Sequence, residues 1–365
     1  MKRLIFIFLF LILASGQAQS NGKADALIKK AILLMDNGSI DESIEVLEKA
    51  KKADPRNPVV LYEMGYAYYL SGNYEMAVKK VQDAITFHEV SDIYYQLLGN
   101  SYDLLGQPDS AITSYAMGIE KFPDSGRLYY ESGVVKYGQK LYNDAIDFWE
   151  KGIKAEPQYP SNYYMLTKTF TGSKEKIWVL LYGEMFMNLE PGTERTSEIS
   201  RILYDTYKNI YVQKNDSEGE FKLTEKGFTI NVTDKDLDKI KEGGKLLPFE
   251  GEYALVFARA GTELMNQINL RTIVQTRKQF LKEWYGEEKH DLDFPNSLLW
   301  YQKQLLDKSY FESYSYWLLG EGDYEGFEAW LEANKVKYDK FIAFFTDDKL
   351  LLNTDDKFSR PDYFR

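Results

Sequence analysis

The chain has 365 residues, 44% hydrophobic and 28% charged, a globular composition long enough for two domains or one elongated one. Lys and Arg number 45 against 56 Asp and Glu, and the net charge of −11 argues against an extended nucleic-acid surface, which needs positive charge to displace counterions. With no cysteine, disulfides, thiolate zinc sites, iron–sulfur clusters and cysteine nucleophiles are excluded, and two histidines, His88 and His290, leave little for a metal site or a catalytic imidazole.

Residues 1–18 have the layout of a secretory signal peptide. Lys2 and Arg3 precede an unbroken apolar run over residues 4–14, too short to span a bilayer. Gly16 and Ala18 then put small residues at the −3 and −1 positions of a cut after Ala18. The alternative is an uncleaved N-terminal anchor; a lipoprotein lacks its acceptor cysteine. The reading is an exported, acidic protein, periplasmic or extracellular, with no membrane span after cleavage.

From residue 24 a period of 34 governs the chain. Gly65, Gly99 and Gly133 are 34 apart, each followed twelve residues on by Ala77, Ala111 and Ala145 and sixteen on by Val81, Tyr115 and Trp149. Pro123, Pro157 and Pro191 repeat at the same interval; Pro55 is in phase with them, and Glu89 stands where one proline is missing. Small residues belong where paired helices cross, since a larger side chain would force the axes apart. Turns such as Gly72-Asn73 supply a residue tolerant of positive φ, and each proline stops a helix.

In these residues the chain resembles the tetratricopeptide repeat (TPR) family, whose helix–turn–helix units stack into a superhelix. Five units are expected, at about 24–57, 58–91, 92–125, 126–159 and 160–192. The fifth is degraded, with Thr167 for the glycine and Val179 for the alanine. The resemblance implies that the first helix of each unit lines a concave protein-binding groove. On the family's positions this groove is Tyr62, Tyr66 and Tyr69, flanked by Val59 and Leu70, then Gln96, Asn100 and Asp103 beside Leu104. It continues through Arg127, Tyr130 and Tyr137 to Tyr164 and Lys168. Tyrosine offers apolar area with a polar tip, which suits an extended peptide; the alternative is that these rings pack between repeats. The clamp with which some family members grip a chaperone's terminal carboxylate needs lysine and asparagine, but Tyr62 and Tyr66 occupy two of its positions and Gln96 precedes Asn100.

Beyond Gly192 the pattern changes. Residues 193–245 read as one helix followed by a β-hairpin insert, with Phe221 and Leu223 alternating on one arm and Phe228, Ile230 and Val232 on the other. A lone hairpin is marginal in water, so it must dock on the helices or pair elsewhere. Residues 246–350 read as a helical C-terminal domain, with helices at 251–267, 269–285, 296–307, 309–320 and 324–344, and 351–365 as a loose tail. Gly322-Asp323-Tyr324-Glu325 echoes the turn at Gly72, either a worn sixth repeat or a plain helical hairpin. Trp284, Trp300, Trp317 and Trp330 fall at core spacing. This C-terminal part is expected to cap the repeats, because an array otherwise ends on an exposed apolar face.

Motifs for chemistry are scarce. Asp234, Asp236 and Asp238 alternate like a calcium loop, but Lys239 and Lys245 stand where an EF-hand needs glycine and glutamate. His290 beside Asp291 and Asp293, in an expected loop, is the one ionisable cluster of note. The chain therefore reads as an all-α, non-enzymatic adaptor with no catalytic, cofactor or metal site. It is expected to bind a protein or extended peptide, not nucleic acid, and its oligomeric state is open. Glycan binding through Tyr and Trp faces is the alternative; an enzyme in the C-terminal half is a third reading without a motif.

Overall fold

The computed structural model describes residues 22–215, 218–224, 230–231, 247–261, 264, 267–286 and 288–363. The signal-peptide pattern and the Asp234, Asp236 and Asp238 spacing lie outside these residues. The chain divides into two compact units, one running to Gln107 and one from Pro108.

The first unit holds α1 (Gly22–Asp36), α2 (Ile40–Ala53), α3 (Pro58–Leu70), α4 (Tyr74–Ile85) and α5 (Asp92–Leu104). Consecutive helices pair, and α3 also lies beside α1 and α5. The local chemistry accounts for the boundaries. Asn57 accepts the Val59 N–H as Pro58 opens α3, and Asn73 accepts the Met76 N–H at the start of α4. Gly38 and Gly72 take φ of +80° and +79° in the turns within the first two repeats. Where α3 crosses α4, a Cβ on Gly65 would stand 2.5 Å from the Val81 side chain, so only glycine fits.

The second unit continues the period with α6 (Pro108–Lys121), α7 (Gly126–Gly138), α8 (Tyr142–Ala155), α9 (Pro160–Thr171), α10 (Lys176–Leu189) and α11 (Glu194–Asn209). First helices thus begin at residues 58, 92, 126, 160 and 194, always 34 apart. Helix α11 keeps the phase and packs on α9 and α10 as α9 packs on α7 and α8. It is the first helix of a sixth repeat, which the expected five units did not include. Its second helix never forms: the chain turns into β1 (Tyr211–Asn215), β2 (Glu218–Phe221) and β3 (Ile230–Asn231), an antiparallel sheet in that order. The expected hairpin is the β2–β3 pair; β1 was not foreseen. The sheet docks as a lone hairpin must, with Phe221 and Leu223 buried and the Ile177 N–H donating to the Leu223 carbonyl at 3.2 Å.

The remaining helices are α12 (Phe249–Ala260), α13 (Leu270–Trp284), α14 (Glu288–Asp293), α15 (Ser297–Asp307), α16 (Phe311–Leu319) and α17 (Tyr324–Asp347). The turn before α17 is a helical hairpin whose Asp323 caps Gly326, as Asn73 caps Met76. At that turn a Cβ on Gly322 would meet Tyr204 at 2.2 Å, so glycine lets it lie directly on α11.

No division falls at Gly192, because one hydrophobic core runs from Ala145 in α8 to Phe358. Helix α10 is apolar on every side, with all but its two end residues buried. Phe249 and Tyr363 stack against its Trp178 at 5.8 and 6.2 Å. Residues 352–363 are not a loose tail. Phe358 and Ser359 are fully buried, and Arg360 donates to both Glu150 carboxylate oxygens at 2.7 and 3.0 Å. Those partners lie about 200 positions back in the chain, beyond the reach of any local pattern.

Candidate binding face of the repeats

Residues expected to line the groove fall in both units and meet different surroundings. In the first, Tyr62, Tyr66 and Tyr69 are all half-buried on α3. The Tyr62 ring lies 4.6 Å from that of Tyr94, Tyr66 stacks on Tyr69 at 6.4 Å, and Tyr69 meets Tyr74 edge-on at 5.7 Å. They pack on a cluster containing Leu61, Val78, Val81 and Leu97. The rings thus pack between adjacent repeats, as the second reading has it, while part of each still meets solvent. Beside them Val59, Leu70 and Leu104 are 42%, 41% and 50% exposed, large apolar side chains at three expected groove positions. On α5, Gln96 and Asn100 are half-buried and Asp103 is exposed.

Sequence reasoning passed over Glu63, one residue from Tyr62. Burial, reinforced by the Asp36 carboxylate, pushes its pKa up to about 7. Burial and the Glu63 charge in turn raise the Tyr66 and Tyr94 hydroxyls. Glu63 is thus a carboxylate held among phenol rings with a like charge nearby.

In the second unit the corresponding face closes toward its end. Arg127 and Tyr130 are half-buried, with Tyr130 edge-on to Tyr159 at 6.1 Å, while Tyr137 is 40% exposed beside Tyr142. Tyr164 is half-buried and Lys168 exposed, and both are bonded within the chain. Tyr164 donates to Glu198 of α11, and Lys168 pairs with the same carboxylate at 2.8 Å. Hydrogen bonds from Lys168 and Tyr164 hold Glu198 below the usual carboxylate range. The Arg195 guanidinium covers the Tyr164 ring at 4.9 Å and reaches Ser161 at 3.2 Å. Helix α11 therefore supplies bonding partners to two side chains expected on the face of the fifth repeat.

Two clusters of ionisable groups in the C-terminal part are buried in the core. His290 is buried in α14, not in a loop, stacked on Trp284 at 4.8 Å with Nε2 3.4 Å from Glu252; Asp291 and Asp293 do not join it there. A larger network was not anticipated. Arg277 grips both oxygens of Glu184 at 2.8 and 3.0 Å and donates to Tyr207 at 3.1 Å. Gln302 adds a bond to Glu184 at 2.6 Å, and the guanidinium lies over Tyr207 and Phe311. Both charged side chains are less than 5% exposed. The pairing spans 93 positions of sequence, and neither residue stands in a recognisable motif.

Trp284 is core, and Trp317 and Trp330 are half-buried. Trp300 departs from expectation at 57% exposed, in a cleft of about 350 Å³ with Asp291, Asn296, Asp355 and Asp356. Among the described residues no group of three metal-ligating side chains clusters, and no helix is long and apolar enough to cross a membrane.

These features define an all-α protein of stacked 34-residue helical hairpins, and comparison with known proteins supplies the family. A TPR repeat model matches residues 33–72, and a tetratricopeptide repeat model matches residues 95–125. The TPR repeat-containing protein YpiA of Bacillus subtilis is 26% identical over 40% of this chain and 35% of its own length. The Hsp70-Hsp90 organising protein of Plasmodium falciparum is 29% identical over 30% of this chain and 43% of its own. The chain thus spans less than half the length of either relative. Among solved structures, Pseudomonas aeruginosa pilF is similar over 52% of this chain and 84% of that one, with 14% identity and a TM-score of 0.44. The chain thus carries tetratricopeptide repeats, matched at residues 33–72 and 95–125.

Proposed function

We propose that this protein is an exported, non-enzymatic adaptor that binds an extended segment of a partner protein on the face formed by α1, α3 and α5. Tetratricopeptide repeats mediate protein–protein interaction and scaffolding in general; the choice of face is specific to this chain. The observation that carries it is the exposure of Val59, Leu70 and Leu104 beside tyrosines that are only half-buried. Large apolar side chains left in water along the first helices offer a partner segment area to bury.

The test is in-cell crosslinking with mass spectrometry, run beside a Leu70→Ser/Leu104→Ser variant, which alters exposed side chains and leaves the packed tyrosines in place. Loss of a captured partner by the folded variant supports this face; an unchanged partner list refutes it. Export rests on the pattern of residues 1–18, and N-terminal sequencing of the mature protein is expected to begin at Gln19. Glycan binding is the second reading, favoured by the exposed Trp300 ring among carboxylates and an amide. If a glycan array gives binding that Trp300→Ala abolishes, that reading takes over.

A further inference from the structure

We infer that the cleft around Trp300 in the second unit binds a glycan whose sugars carry free, protonated amino groups; this rests on the second reading, that the cleft takes a sugar. The cleft, of about 350 Å³, lies between the start of α15, with Asn296, Ser297 and Trp300, and residues 355–357, and Asp291 of α14 also lines it. Its walls are tied to each other and to the core. The Asn296 side chain accepts the Leu299 N–H at 3.0 Å and donates to the Tyr363 hydroxyl at 2.8 Å. The Ser297 N–H donates to the Lys357 carbonyl at 2.9 Å, and the Asp356 carboxylate accepts the Asn353 N–H at 2.8 Å. A ligand therefore meets a shape that exists before it arrives, and little ordering is lost on binding.

The ring defines the kind of ligand. A flat apolar indole left 57% exposed, with carboxylates and a hydroxyl beside it, matches a pyranose, which has C–H groups on one face and hydroxyls around its edge. Sugar hydroxyls donate to carboxylates, and the charge strengthens those bonds. Charge then selects among sugars. Asp291, Asp355 and Asp356 stand against one lysine among the lining residues, Lys357. That lysine is shared, because its Nζ lies 3.7 Å from Asp362, outside the lining. Lys154, which donates to the Asp356 carbonyl at 3.0 Å, is itself paired with Asp362 at 3.1 Å. Carboxylate is thus in excess beside the ring. An ammonium on the sugar gains an ion pair and the attraction of the indole π face, while a uronic acid meets repulsion.

Isothermal titration calorimetry of the full chain with the tetramers of glucosamine and N-acetylglucosamine, and with tetralysine, tests this. In dilute, mildly acidic buffer the glucosamine tetramer should bind about tenfold more tightly than its acetylated counterpart. Added salt should narrow that gap. Trp300→Ala should abolish binding of both sugars. Asp291→Asn/Asp355→Asn should remove the preference and leave the acetylated tetramer bound. All three positions are exposed, so these variants should melt with the natural chain. Equal affinity for the two tetramers, lost in Trp300→Ala, overturns the amino-sugar inference while the glycan reading stands. A glucosamine tetramer that binds Trp300→Ala as tightly as the natural chain is held by bulk acidity and not by the cleft, which also overturns the inference. Tetralysine bound as tightly as the glucosamine tetramer, and lost in Trp300→Ala, makes the cleft a peptide site instead. If neither tetramer binds, the glycan reading itself is refuted.

Discussion

Up to Gln107 and from Pro108 onward the chain uses one hairpin repeat and finishes it in opposite ways. In the first unit, the first helices of the repeats keep half-buried tyrosines and exposed Val59, Leu70 and Leu104 toward solvent. In the second, the equivalent residues Tyr164 and Lys168 are bonded to Glu198, and α10 is enclosed by α11, α12 and residues such as Arg360 and Tyr363. The same repeat thus leaves its first-helix side chains to solvent in one unit and bonds them to later helices of the chain in the other.

The largest effect should come from removing that internal partner. A chain ending at Gly192 bares Trp178, Leu181, Met185 and their neighbours on α10, each worth about 1.5–3 kcal/mol of burial. Hydrogen exchange should show α8 to α10 losing protection, with aggregation, while α1 to α4 keep theirs. A soluble, sharply melting fragment of residues 19–192 would contradict the dependence.

Next in size is the buried ion pair. Arg277→Ala strands the Glu184 carboxylate at a site less than 5% exposed and should cost about 3–5 kcal/mol. The double change Glu184→Leu/Arg277→Met, apolar at both positions, should recover most of that loss. Thermal unfolding of the three chains compares the values. Equal destabilisation by the single and double changes would mean that packing, not charge, sets the cost.

The first unit should show the reverse sign at its own carboxylate. Burial raises the Glu63 pKa from 4.5 to about 7, so its contribution to stability is fully present below 4.5 and is lost as pH rises through 7. Glu63→Gln should therefore stabilise α1 to α5 by on the order of 2 kcal/mol at alkaline pH and have little effect in acid. Protection of α3 amides against exchange, measured on both sides of neutrality, reads this directly. In the second unit a paired carboxylate supports stability; in the first, burial of Glu63 beside Asp36 works against stability once that carboxyl ionises.

The repeats were legible because their constraints are local and recur. Pro55, Pro123, Pro157 and Pro191 each stand two residues beyond the last residue of a helix. Gly133 meets Trp149 so closely that a Cβ would lie 2.2 Å from Nε1. The sixth first helix was hidden because α11 lacks the glycine and carries Arg201 at its position, though the 34-residue phase running on from Pro160 to Glu194 marked it. The clasp of Arg360 on Glu150 and the pair Glu184–Arg277 depend on residues that only the fold brings together. The open face was legible in its residue types, and its closure at Tyr164 was not, because Glu198 reads as an ordinary solvated helix residue.

The smallest effect tests the turn that both units share. Gly38, Gly72, Gly106 and Lys140 fall 34 apart, with φ of +80°, +79°, +71° and +63°. At Gly72 the N–H donates to the Tyr69 carbonyl and the next N–H to Tyr68; at Lys140 the same two bonds run to Tyr137 and Lys136. Lysine thus holds a backbone conformation that costs an L-residue about 1 kcal/mol or more, part of which is offset because glycine loses more freedom on folding. Lys140→Gly should stabilise the second unit by about 0.5–1 kcal/mol, raising its Tm by roughly 1–4 °C. Lys140→Ala retains the Cβ and should bring no gain. If alanine stabilises as much as glycine, the cost lies in the lysine side chain and not in the left-handed backbone, and the fourth turn is then as relaxed as the three glycine turns before it.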